Sequence, residues 1–399
     1  MQALRGFWPD VRLLREPGLL TGGYWATMWR LQLTGTPAGI PGDVVLRVMP
    51  DATMGAKEMA VQAAAARGGI PTPRVHLAVP AGGPLNRAWA VMDLAPGAPL
   101  LAGLDGAAAL RRLPRLAAAL PRRLADAMAA IHRVDPAPVV AAVREAAPSV
   151  AVTLDELWPH LRAKVAATGR ADLDDALDRL VAGQPRQVRA VICHGDFHPF
   201  NLLADGPRTT VLDWTGAVAG PAAYDVAFTW LLLRHPPLAA PPSLRPVIDV
   251  AAAALASRFV RLYRRTNPDA ELTDLHWYVG LHALRILADH EIWARNGDPR
   301  AHEHPLRLVA PGAAKALRRA IRRPSTVSAR PGDAPGGARR STDRHALDQD
   351  GCRGTTTSNG GSGSSSASPA TCSSPATSCS SPTSTCTADP PPSAASFPN

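Results

Sequence analysis

Between His194 and Asn201 the sequence sets a carboxylate (Asp196), two imidazoles (His194 and His198) and a carboxamide (Asn201) within eight residues. A second carboxylate, Asp213, follows twelve positions after Asn201. Apolar residues bound the cluster: Val191-Ile192-Cys193 before it, Leu202-Leu203 after it, and Val211-Leu212 ahead of Asp213. This pattern reads as strand, polar loop, strand, and an acid at a strand end. Leaving such groups buried without partners costs about 2 kcal/mol or more each, so the stretch is a candidate active site. Phosphoryl transfer from a nucleotide needs this set of parts. One carboxylate, here Asp196, orients the attacking hydroxyl and accepts its proton. A carboxamide oxygen and a second carboxylate, here Asn201 and Asp213, hold Mg²⁺ against the phosphates. His194 would orient the loop through backbone hydrogen bonds, and His198 would face the transferred phosphate.

The elements that must position these residues follow from periodicity. Residues 11–50 read as β-structure with turns. Gly22 and Gly23 suit a turn that can cover phosphates with backbone N–H groups, although a plain hairpin explains them as well. Alternation from Thr27 to Leu33 marks a strand, and Val44–Val48 is another that Pro50 ends. Thr53 is expected to cap a helix running to Arg67, with Glu58 in its middle. Val75–Val79 and Ala88–Met92 are further strands, and Asp93–Gly97 reads as a linker between lobes. Helical pattern then dominates from Leu100 to Ala182, with Leu124, Met128 and Ile131 on one face and His132 at a helix end. Further helices are expected at 220–233, 247–265 and 272–295. Asp289, His290 and Glu291, on the last of these, either border the acceptor or form a solvated face.

Composition bounds the function classes. The chain has 399 residues and a formal charge of +10. Nine Lys or Arg stand against Asp333 and Asp343 between Lys315 and His345. The excess is thus a local run, which argues for a solvated segment and against a nucleic-acid surface. From 324 onward Ser, Thr, Pro and Gly predominate, so a disordered tail is expected over 324–399. Cys193 is the one cysteine upstream of that tail; Cys352, Cys372, Cys379 and Cys386 lie within it, and no C-x-x-C spacing supports a zinc or redox motif. A lone core thiol suits a reducing compartment. Charges among the first twenty residues leave no signal-peptide core, and no apolar run reaches 18 residues. A cytoplasmic protein without a membrane span is the expectation.

The stretch His194-Gly195-Asp196-Phe197-His198-Pro199-Phe200-Asn201, with Val211-Leu212-Asp213-Trp214 and Gly220–Ala227 after it, resembles the aminoglycoside phosphotransferase family of small-molecule kinases. Outward, Val45-Leu46-Arg47 is similar to that family's third strand and Lys57-Glu58 to its N-lobe helix. Ile70-Pro71-Thr72-Pro73 is similar to its V-P-x-P segment and Val91–Gly97 to its hinge. The resemblance spans about residues 10–295. It implies an α/β (α+β), two-lobed, protein-kinase-like fold. A small antiparallel-sheet lobe over 1–95 binds nucleotide, and a larger, mainly helical lobe over 96–323 carries catalysis and the acceptor. It implies ATP or GTP as donor, Mg²⁺ as cofactor and a small-molecule hydroxyl as acceptor, aminoglycosides being one class among several. It makes Asp196 the base and Asn201 and Asp213 the metal ligands. Met92 to Leu94 become backbone partners of adenine, with Gly22 and Gly23 over the phosphates, and Asp225 ties its helix to the catalytic loop. One departure stands out. The chain has only Lys57, Lys164 and Lys315, and Arg47 occupies the third strand where the family carries a lysine. Arg47 keeps a cation that Glu58 can set, with a planar fork in place of an ammonium.

Three other readings compete. Gly195-Asp196-Phe197-His198 can be taken for a metallophosphoesterase fragment, but no Gly-Asn-His segment follows to build a two-metal site. A catalytically impaired nucleotide-binding module draws on Arg47, yet Asp196, Asn201 and Asp213 are retained together. An ordinary solvated turn explains each polar residue singly and not their joint spacing.

Overall fold

The structure, a computed structural model, describes residues 1–20, 26–80, 85–101, 106–186 and 188–323. Gly22 and Gly23 lie outside the described residues, as does the tail expected from 324. By its contacts the described chain falls in one unit, and the lobe boundary expected near residue 95 lies inside it.

After a single helical turn, α1 (Gln2–Arg5), come β1 (Arg12–Leu13), β2 (Gly18–Leu20), β3 (Thr27–Thr34) and β4 (Asp43–Val48). Helix α2 (Ala52–Arg67) and strands β5 (Val75–Val79) and β6 (Trp89–Asp93) complete the N-terminal region. The strands form one antiparallel sheet in the order β1-β3-β4-β6-β5, with β2 also paired to β3. Period-two alternation decides what each face meets. Val44, Trp89 and Val91 join Leu31 and Leu33 on one face, packed against Leu4, Trp8 and Val11. Val45, Ala90 and Met92 occupy the other, against Met49 and Met59. Arg47 pairs in register with Ala90. The alternation that buries Val45 therefore also turns Arg47 toward α2. That helix is capped by Asp51, whose carboxylate accepts the Met54 N–H at 2.9 Å, and not by Thr53. A carboxylate two residues earlier reaches the third helical N–H and carries favourable charge at the helix N-terminus.

The C-terminal region is mainly helical. It runs β7 (Ala98–Pro99), α3 (Gly106–His132), α4 (Ala137–Ala146), α5 (Leu157–Thr168), α6 (Ala171–Ala182) and β8 (Ala190–Cys193). A 3-10 turn (Pro199–Asn201) leads to β9 (Leu202–Asp205), β10 (Arg208–Val211), β11 (Val218–Pro221) and α7 (Ala222–Arg234). Helices α8 (Arg245–Thr266), α9 (Leu275–Arg295), α10 (Arg300–Glu303) and α11 (Leu306–Ala320) follow. Strand β9 lies between β10 and β7, and β8 pairs with β11. Their loops converge on the stretch from His194 to Asp213.

Two elements differ from the sequence expectation. The helical stretch from Leu100 to Ala182 is interrupted at 147–156, where Thr153 forms a parallel bridge to Ala219. Helix α11 was not expected. It places Val309, Ala313, Leu317 and Ala320 on one buried face, close enough to α9 that a Cβ on Gly280 would sit 2.4 Å from the Ala320 Cβ. Arg318 and Arg319 thus belong to the last turn of a packed helix, where cations complement the helix dipole, and not to a basic tail. No helix among the described residues is long and apolar enough to cross a membrane.

Candidate active site

Strand β8 ends at the fully buried Cys193, and the chain must turn sharply to present Asp196. Gly195 makes that turn with φ of +75°, and a Cβ there would meet the Gly216 carbonyl oxygen at 2.0 Å. The loop is held from beneath by Asp225, in the first turn of α7. Its carboxylate accepts the backbone N–H of His194 at 2.6 Å and of Gly195 at 2.7 Å. His132, at the end of α3, stands 3.1 Å from the same carboxylate through Nε2, and its Nδ1 lies 2.6 Å from the Tyr263 hydroxyl. Burial works to raise the Asp225 carboxyl, but the His132 bond and charge, with His194 and the Gly195 N–H, hold it below its ordinary value. His132, Cys193 and Asp225 cluster closely enough to suggest a metal site. The hydrogen bonds rule it out as one: both ring nitrogens and both carboxylate oxygens are engaged, and burial pushes the Cys193 thiol well up. His132 is a helix-end partner buried in a hydrogen-bonded knot.

On this foundation the loop side chains converge. The Asn201 amide donates to the Asp196 backbone carbonyl at 3.0 Å and to Asp196 Oδ2 at 3.3 Å. His198 Nε2 stands 3.4 Å from the same oxygen. The Asp196 side chain is 44 % exposed, so its carboxylate is partly open to solvent. The crowded surroundings disfavour its charge, but His198, then His194 and Arg285, outweigh that and hold it far below the usual carboxylate range. His194 Nε2 donates to the Leu212 carbonyl at 2.9 Å, and its ring packs against Trp214 at 4.9 Å. It thereby joins the loop to the residues on either side of Asp213.

Asp213 itself adopts φ of +62°, in the left-handed region where Asp and Asn are better tolerated than other side chains. Its Oδ1 accepts from the Thr215 hydroxyl and N–H, and its Oδ2 lies 3.6 Å from Arg47 Nη2. Arg47 in turn pairs with Glu58 Oε1 at 2.8 Å, both side chains being buried. Burial pushes the Glu58 carboxyl up to about 7 against the opposing pull of Arg47, with Asp213 adding to the rise. Strand β4, helix α2 and the Asp213 turn therefore meet at one guanidinium. Met92 is buried on β6, its sulfur 3.5 Å from Gln62 Nε2, and Leu94 packs just past that strand against the same cluster.

The donor set fits a hard divalent cation. Asn201 spends its amide nitrogen on Asp196, which leaves the carboxamide oxygen, and Asp213 Oδ2 has Arg47 as its one neighbour within ion-pair distance among the described residues. Oxygen donors of this kind are what Mg²⁺ takes.

Sequence reasoning missed three residues. Lys57 is buried on α2. Arg285, on α9, acts on Asp196 electrostatically and donates to the Tyr224 hydroxyl. His304, beyond α10, is pushed down by burial while the Asp196 charge pulls it up. Each sits far in sequence from the loop; Lys57 lies in the Lys57-Glu58 pair that the resemblance covers, but with no role assigned to it, and Arg285 and His304 lie in no local motif. Asp289 and Glu291 turn out to be spent in ion pairs with Lys164 and Arg170.

Comparison with known proteins adds three findings. The sequence model described as the phosphotransferase enzyme family matches residues 19–268. Among solved structures, a Ralstonia eutropha protein provisionally labelled an aminoglycoside phosphotransferase superposes with a TM-score of 0.56 at 18 % identity, covering 80 % of this chain and 97 % of its own. The apo form of a thermostable mutant of aminoglycoside phosphotransferase APH(4)-Ia gives 0.49 at 19 %, covering 80 % and 98 %. Curated proteins give no sequence match. The kinase-like fold is thus shared, and with a family match across residues 19–268 the chain belongs to the phosphotransferase enzyme family.

Proposed function

We propose that the chain transfers the γ-phosphate of ATP or GTP to a hydroxyl of a small molecule. The observation that carries this reading is the convergence of Asp196, Asn201 and Asp213 with the buried Arg47–Glu58 pair. Asp196 orients the acceptor hydroxyl. A carboxyl held so far down is ionised throughout the working range and a weak base, so it takes the proton late, as the phosphoryl bond forms. Asn201 and Asp213 hold Mg²⁺, which when bound neutralises charge on the donor phosphates. Arg47, steadied by Glu58, meets the phosphates with its planar fork. Met92 to Leu94 receive the adenine, and His198, 3.4 Å from Asp196 Oδ2, would face the transferred phosphate.

A second reading, an impaired nucleotide-binding module, has one observation in its favour: Arg47 already faces Asp213 at 3.6 Å. The experiment is Asp196→Ala assayed for phosphate transfer from ATP and from GTP over a panel of hydroxylated acceptors, alongside nucleotide binding. The expected outcome is loss of transfer with nucleotide binding retained. Full turnover in that variant would sink the assignment.

A further inference from the structure

Helix α8 has two faces of different chemistry. Ala252, Ala256, Phe259 and Tyr263 form the buried one, where α3 and α7 pack. At 3.6 residues per turn the opposite side collects Leu244, just ahead of the helix, then Val247, Val250, Ala251 and Ala254. The same side continues with Arg258, Arg261 and Arg265, and every one of these side chains is exposed. Leu244 is 53 % exposed, Val247 68 % and Val250 73 %, and the two valines are the most exposed large apolar side chains among the described residues. An amphipathic helix ordinarily turns polar residues outward. The first three turns of α8 do the reverse, and single exposed apolar residues would need no explanation where a contiguous stripe does.

Charge decides what suits this face. The one acid of α8 is Asp249, which lies off the stripe and 3.7 Å from Arg234 Nη1. The stripe itself therefore carries three arginines and no carboxylate. A second copy of the chain is a poor occupant. Parallel α8 helices would set arginines against arginines, and antiparallel ones would set each apolar half against the partner's basic half. Residues 324–399 are a poor occupant too, because Val327, Leu347 and Phe397 are their only large apolar side chains. An anionic bilayer surface offers both complements at once: an acyl boundary for the apolar half and phosphates for the guanidinium forks. Arginine stems are long enough to lie along that boundary with their heads at the phosphates.

We infer that the outward face of α8 docks the protein on an anionic lipid surface, with Leu244, Val247 and Val250 entering the headgroup–acyl boundary and Arg258, Arg261 and Arg265 meeting the phosphates. Docking of this kind lies on the membrane and needs no spanning helix. It goes beyond the phosphotransfer reading and does not depend on it.

The test is flotation of the full chain with equimolar phosphatidylcholine–phosphatidylglycerol vesicles and with pure phosphatidylcholine vesicles. Wild type is compared with the double variant Val247→Ser, Val250→Ser and the triple variant Arg258→Gln, Arg261→Gln, Arg265→Gln. All these positions are exposed, and each variant is checked for an unchanged thermal transition. Wild type is expected to float with the anionic vesicles and only weakly with the neutral ones, and added salt should reduce the anionic binding. The double variant keeps every charge, those downstream of α8 included, and should bind about 10- to 100-fold more weakly because two apolar side chains no longer leave water. The triple variant should lose about fivefold for each arginine removed. Hydrogen exchange on the vesicles should show protection over 244–265. Failure of wild type to float, flotation of the double variant equal to wild type, or protection that leaves 244–265 unchanged each overturns the proposal. So does a dimer in sedimentation velocity that the double variant dissociates, which would make a second copy the occupant. Binding to poly-L-glutamate with none to the anionic vesicles overturns it as well, in favour of an acidic protein.

Discussion

The indole N–H of Trp214 donates to the Thr72 hydroxyl at 2.9 Å, across 142 residues of sequence. The same hydroxyl donates to the Val211 carbonyl at 2.8 Å, and the Val211 N–H returns a bond to the Pro71 carbonyl at 2.8 Å. The segment Pro71-Thr72-Pro73 thus clamps the chain on both sides of Asp213. Thr72→Val keeps the shape and leaves a buried indole donor unpaired. The expected cost is about 1–3 kcal/mol in urea unfolding, with weaker Mg·nucleotide binding as the Asp213 turn loosens. Thr72→Ser, which retains the hydroxyl, should recover most of both; a Val variant as stable as wild type contradicts the clamp.

Asp225 supports the catalytic loop in a different way, through charge buried without exposure. Asp225→Asn removes the charge facing His132 and sets an amide against the N–H groups of His194 and Gly195. The expected destabilisation is about 3 kcal/mol or more, as for breaking one partner of a buried pair. The sign with pH follows from its depressed carboxyl. Its contribution is complete above the unfolded-state value of about 3.9 and is lost as pH falls through the lower folded value. Unfolding measured between about pH 2 and 5 should therefore show a shallower acid limb in Asp225→Asn than in wild type.

Glu58 titrates the opposite way. Its carboxyl is pushed up to about 7 from an ordinary 4.5, so between those values the folded state holds the proton that the unfolded state has lost. Stability therefore falls as pH rises through that window. Ionisation also completes the pair with Arg47, so kcat/KM for the nucleotide should rise over the same range. Glu58→Gln should flatten both profiles and lower kcat/KM at high pH by freeing Arg47. A wild-type rate profile flat from pH 5.5 to 8, taken as about the span around that ionisation, would remove Glu58 from the nucleotide site.

How much of this was legible depended on distance along the chain. The apolar run Val44–Val48 predicted the strand, and the period of two in the structure then decides the face on which Arg47 falls. The loop from His194 to Asn201 was legible because its partners lie within a few residues of one another. The Arg285–Tyr224 bond joins helices 61 positions apart, and the buried Lys57 acquires its meaning only from what packs over α2. Helix α11 was hidden by Pro305 and Pro311 and by arginines that resemble those downstream. Its apolar residues are mostly alanines, whose burial depends on the close approach of α9 at Gly280 and carries little hydrophobic signal of its own.

Asp213 offers the sharpest test of the metal role, provided the substitution respects its backbone. With φ of +62°, alanine there adds a conformational cost of about 1–2 kcal/mol that has nothing to do with the carboxylate. Asparagine tolerates the same region and keeps an oxygen for the Thr215 hydroxyl and N–H, while removing the charge that faces Arg47. Asp213→Asn should therefore unfold close to the wild-type midpoint, whereas Asp213→Ala should unfold earlier. Both should lose the Mg²⁺-dependent part of nucleotide affinity in calorimetric titration, and because Arg47 is left with Glu58 as its one acid, metal-free nucleotide binding should hold or rise slightly. Unchanged titration of Asp213→Asn with Mg·ATP would contradict the metal role.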